Sequence, residues 1–129
     1  MDKRVIKPLI LIACIGWALL ILILTLTPGE YVPSYSLFSY DKLGHAGIFC
    51  IQAVLLIYTF WYVNGRETSF SIAVGMIIAI IYGFVIEGIQ GIIPGRSMDM
   101  YDAIANITGS FLAPVVFYLM NKVFRIKKI

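Results

Sequence analysis

The chain has 129 residues, 60% of them hydrophobic and 13% charged, with a formal net charge of +3. Soluble domains keep about a quarter of their residues charged, so these charges are too few to coat a water-facing globule, and they cluster between long apolar runs. The pattern predicts one membrane domain over 1–129. It excludes a nucleic-acid partner, because basic and aromatic residues do not interleave along a groove.

A helix needs about 20 apolar residues to cross about 30 Å of hydrocarbon, and four stretches qualify. The first is predicted over 8–27, preceded by Lys3, Arg4 and Lys7 and ended by Pro28-Gly29. Its apolar run is longer than a signal-peptide core and no small-residue cleavage site follows, so it is read as a retained span. The loop after it, 28–40, is rich in Tyr, Ser and Pro and suits the headgroup layer. The second span is predicted over 42–62, the third over 70–92 and the fourth over 102–122, with Asn64-Gly65 and Pro94-Gly95 closing the second and third. Cys14 and Cys50 fall inside apolar runs without metal or redox spacing and read as small buried hydrophobes. Strands are excluded, since an open sheet in lipid leaves backbone groups unpaired. The expected fold is an all-α membrane protein, a four-transmembrane-helix bundle.

Orientation follows from the basic residues. With both termini cytoplasmic, the inner side holds Lys3, Arg4, Lys7, Arg66, Lys122, Arg125, Lys127 and Lys128, and the outer side only Lys42 and Arg96. Eight against two satisfies the positive-inside rule. The outer side then receives Glu30, Asp41, Glu87, Asp99 and Asp102.

Three outer segments hold most of the chemistry: DKLGH at 41–45, EGIQ at 87–90, and PGRSMDMYDAIAN at 94–106. Asp41 and His45 share a helix face, as do Glu87 and Gln90, and Asp99, Asp102 and Asn106 follow steps of three and four. At 1.5 Å per residue, His45, Glu87 and Asn106 lie about 5–8 Å below the outer helix ends. Ionisable groups at that depth cost several kcal/mol unless they find partners, so they are expected to turn inward and meet. Each also has a structural alternative. Asp41 and Asp99 suit helix caps, with Asp102 supporting the first turn. His45 could bond to Asp41, and Arg96 could pair with Glu87. Gly83, Gly88, Gly91 and Gly109, with Gly44 and Gly47, are expected to let helices approach closely.

The segments DKLGHAGIF, YGFVIEGIQGIIPGR and DMYDAIANITGS together resemble the VanZ-like family of bacterial integral membrane proteins. The likeness runs from Asp41 to Gly109, while the first helix matches only in character. The family's polar pattern falls here on Asp41, Lys42, His45, Glu87, Gln90, Arg96, Asp102, Asn106 and Gly109. The resemblance implies a multi-pass protein of the cell envelope, and the founding member is associated with resistance to the glycopeptide teicoplanin.

Two functions are expected. In one, the chain acts as an enzyme on a lipid or lipid-linked phosphate headgroup of the outer leaflet. His45, Glu87 and Asp102 would supply acid–base or ligand chemistry, and Asp41, Lys42, Gln90, Arg96, Asp99 and Asn106 binding. A divalent ion is left open, because a His with carboxylates is present but no tight metal motif, and no cofactor is assigned. In the other, the chain binds a lipid-linked cell-wall intermediate or the glycopeptide without turnover. Proton or solute transport is disfavoured, because the inner halves of the spans show no matching polar path.

Overall fold

Helices make up nearly all of the described chain, and no strand occurs among the described residues. The structure, a computed structural model, describes residues 3–31 and 38–126, with the backbone alone for 3 and 38–41. Helix α1 is Lys3–Leu26, followed by a single 3-10 turn at Gly29–Tyr31. Helix α2, Phe38–Tyr58, runs into a π turn at Thr59–Val63. Helices α3, Thr68–Gln90, and α4, Met100–Phe124, complete the chain. Each of the four helices is long and apolar enough to cross a membrane. In lipid the backbone must satisfy itself, and continuous helices do so.

Successive helices run in opposite directions, so contacts at the two ends join different pairs. At one end Lys7 Nζ donates to the Val63 carbonyl at 3.2 Å, and the Tyr58 hydroxyl donates to Asn121 Oδ1 at 2.8 Å. At the other, Gly29 N–H donates to the Pro94 carbonyl at 3.0 Å and Lys42 reaches Asp99. The outward faces are apolar, with Ile12, Ile15, Leu19 and Ile23 on α1 and Phe111, Leu112, Val115 and Leu119 on α4 exposed. Such faces suit acyl chains, not water.

The helix bounds differ from expectation in ways with local causes. Helix α1 begins five residues before the predicted start, with Pro8 inside it. A proline near the helix start removes one donor, to the Arg4 carbonyl, and the helix tolerates that more readily than an interior break. Helix α3 stops at Gln90, two residues early, because the turn bonds Ile92 N–H to Ile89 O and Ile93 N–H to Gln90 O take over. Helix α4 begins at Met100 because Asp99 caps it, its side chain accepting from Tyr101 N–H at 2.8 Å. The π turn was not foreseen.

The interior divides by chemistry along the bundle axis. Toward the end with the termini, Tyr58, Trp61 and Phe117 form an aromatic knot, with Phe117 5.0 Å from Tyr58 and 5.2 Å from Trp61 between ring centroids. A smaller apolar layer of Ile21, Phe49 and Ile86 lies toward the other end. The closest helix approach is α2 to α4, where a Cβ on Gly109 would collide with the Ala46 carbonyl. Gly83 fits beside Asn106 and Phe49, and Gly75, which sequence reading passed over, lies against the Ile57 backbone. Gly44, Gly47 and Gly88 meet nothing within 4 Å, so the close approach expected of them does not occur. Gly91 makes only ordinary contacts.

Candidate functional site

The polar end is built by three helices. Lys42 and His45 lie one turn apart on α2; Asp102 and Asn106 lie one turn apart on α4, below the Asp99 cap; Glu87 lies in the last turn of α3. Lys42 Nζ donates to Asp99 Oδ2 at 2.8 Å and also to Asp102 Oδ1. The other Asp102 oxygen lies 3.5 Å from His45 Nε2. His45 Nδ1 is 3.1 Å from Asn106 Oδ1 and 3.8 Å from Glu87 Oε1. Asn106 Nδ2 donates to Glu87 Oε1 at 3.4 Å, and the Asp99 backbone N–H points to Glu87 Oε2 at 3.5 Å.

This connectivity sets proton positions. Glu87 is 0% exposed and Asn106 1%. The Asn106 amide nitrogen faces a carboxylate, so its oxygen faces His45 Nδ1 and requires a proton there. Nε2 in turn faces the Asp102 carboxylate. The ring is thus held between two acceptors, an arrangement that fixes its orientation. The Lys42 ammonium beside Asp99, with the Tyr101 N–H on its other oxygen, holds the Asp99 carboxyl below the usual carboxylate range.

One donor atom from each of His45, Glu87 and Asp102 lies within 4.8 Å of the others. These are the residues that could hold a divalent ion, given modest side-chain movement to ligand distances of about 2.0–2.6 Å. Lys42 already supplies a cation to Asp102.

A cleft of about 110 Å³ opens beside this cluster, between α1, α2 and α3. Ile21, Leu24, Ile48, Phe49 and Ile86 form its apolar wall, and Thr25, His45, Gln90 and Arg96 its polar rim. His45 therefore belongs to both the cluster and the cleft.

No protein-family model, curated protein or solved structure matches the chain.

The predicted site residues thus separate into two groups. Lys42, His45, Glu87, Asp99, Asp102 and Asn106 converge. Gln90 and Arg96 stand apart from them at the cleft. Arg96 does not pair with Glu87: its Nε donates to the Thr27 carbonyl and its Nη2 to the Leu24 carbonyl, both at 3.0 Å, so it caps the end of α1. Asp41 has no described side chain, and its place in the site, like Lys127 and Lys128 among the basic residues, lies outside the described residues. Asp99 is both the expected cap and a partner of Lys42.

Buried polar residues to which the sequence assigned no role include Thr25, Gln52 and Ser110. Thr25 is buried on the cleft rim and returns its hydroxyl to the Ile21 carbonyl. Gln52, 3% exposed, lies two turns below His45, with Nε2 3.7 Å from Cys14 Sγ and its Oε1 unpartnered. The mid-bundle is therefore less uniformly apolar than expected. An amide inside an apolar span was the available signal.

Proposed function

We propose that the chain is a VanZ-like protein of the bacterial cell membrane whose polar site faces outward and acts on a lipid or lipid-linked phosphate headgroup, as a hydrolase or transferase. The observation that carries this reading is His45. It is held by Asp102 and Asn106 within reach of Glu87, and it lines a cleft rimmed by Arg96. An imidazole oriented by a carboxylate, beside a second carboxylate, is suited to general acid–base transfer. In this reading His45 exchanges the proton, Asp102 and Asn106 orient the ring, Glu87 balances the charge, and Arg96 contributes positive potential for a phosphate. The outward orientation draws support from the opposite end, which carries Arg4, Lys7, Arg66, Lys122 and Arg125. Through the resemblance, teicoplanin susceptibility is the phenotype to measure alongside.

Purified protein in proteoliposomes of envelope lipid extract is expected to change a phosphorylated lipid species, read by mass spectrometry, and His45→Ala to abolish the change in a folded protein. Identical lipid profiles for the two would overturn the enzymatic reading.

A second reading is a non-catalytic envelope protein that binds a lipid intermediate or the glycopeptide. It is favoured by the internal saturation of the cluster: Lys42 already holds two carboxylates, and both His45 nitrogens face acceptors. Retention of a lipid species without turnover would select it.

A further inference from the structure

We infer that the cleft between α1, α2 and α3 seats an anionic phosphate headgroup that also carries a hydroxyl or ammonium donor, and that Gln90 is the residue that reads this donor. The inference deepens the proposed headgroup chemistry and rests on it for the nature of the site. Three observations carry it, the first two at residues outside the His45 cluster.

First, Gln90 is 7% exposed, lines the cleft, and its side-chain oxygen has no hydrogen-bond partner. A buried amide oxygen without a donor costs about 1–3 kcal/mol, which a ligand donor would recover. Second, none of the ion pairs among the described residues includes Arg96, although its guanidinium lies on the cleft rim. Its two described bonds go to neutral main-chain carbonyls, so its charge has no counter-anion among those pairs. An anion within the cleft would supply one. Third, the cleft holds about 110 Å³, room for several waters. That volume admits a phosphate with a short polar substituent, and Thr25, His45, Gln90 and Arg96 give it polar partners at the rim. Leu24 belongs both to the cleft wall and to the exposed apolar face of α1, so tails leaving the cleft meet a lipid-like surface at once.

The shared chemistry is a phosphate ester with a neighbouring donor, from a phospholipid or from a soluble glycerophosphate. The test is a competition measured by native mass spectrometry in detergent. Wild type is titrated with short-chain phosphatidylglycerol, which has hydroxyl donors, and with short-chain phosphatidylcholine, which has none. Wild type is expected to retain phosphatidylglycerol about tenfold more tightly, and Gln90→Leu to lose that preference while keeping its melting temperature. Gln90→Glu should reject the anionic lipid. Glycerol 3-phosphate added as competitor assigns the source: displacement at matched concentration indicates a soluble ester, and none indicates a lipid. Equal retention of both lipids by wild type, or an unchanged preference in Gln90→Leu, would overturn the inference. Failure of the catalytic reading looks different. A selective, Gln90-dependent complex with no lipid turnover leaves this site standing and removes the enzyme. Turnover that Gln90→Leu leaves intact in rate and lipid preference does the reverse.

Discussion

At the residue scale, the polar end works by sharing. Lys42 alone links the cap of α4 to its first buried acid, and Asp99 serves helix and cation together. Because the Asp99 carboxyl is held below the usual value of about 3.9, its contribution to stability is complete above that value. It fades as pH falls through the lowered one. Asp99→Asn keeps a capping side chain but not the charge. The melting-temperature gap between wild type and Asp99→Asn should therefore be widest near neutrality and narrow below about pH 4. A gap that stays constant from pH 7 to pH 3 would mean that Lys42 gives Asp99 no electrostatic support. Part of this was legible from spacing alone: Asp99, Asp102 and Asn106 had to share a stripe, and buried charge had to seek partners. Arg96 was not legible, because its acceptors are main-chain carbonyls of Leu24 and Thr27, which carry no mark in a sequence.

At the element scale, the helices were readable and their rotation was not. Length and hydropathy identify a span, but a helix apolar on all sides offers no stripe to say which face meets its neighbour. That is why Gly109 and Gly83 pack closely while Gly44, Gly47 and Gly88 do not, though all looked alike in sequence. The difference is measurable. Gly109→Ala should destabilise the bundle by about 1–3 kcal/mol, since the α2 backbone at Ala46 must move to admit one methyl group. Gly88→Ala meets open space and should be neutral or stabilising by up to about 1 kcal/mol from helix propensity. Reversible unfolding in mixed detergent separates the two, and equal losses would contradict the packing of α2 on α4. The π turn at Thr59–Val63 escaped notice for a related reason: TFWYV reads as more apolar helix, and the wider turn reflects tertiary fit, not local preference.

At the scale of the whole molecule, the bundle has an aromatic, base-flanked end and an acid-rich end. The distribution of lysine and arginine predicts which faces the cytoplasm. Cysteine labelling checks it directly. In a Cys14→Ala, Cys50→Ala background, Met98→Cys should react with an impermeant maleimide on intact cells, and Val123→Cys only after permeabilisation. Both positions are exposed. The reverse result would turn the polar cluster toward the cytosol and remove the outer-leaflet reading.

The attachment of α1 has a further consequence for how such a chain can diverge. Tyr82 donates to the Ala18 carbonyl at 2.6 Å, and Arg96 grips that of Leu24 and, just past the helix, that of Thr27, so these three ties all end on peptide groups. Every residue type offers the same peptide oxygen. The identity of side chains along that stretch is thus released from much of the task of docking, provided the segment stays greasy and helical. Substitutions should accumulate there faster than in α3 and the loop after it, which do the gripping, and a homologue would be harder to recognise by its opening segment than by the rest of its chain.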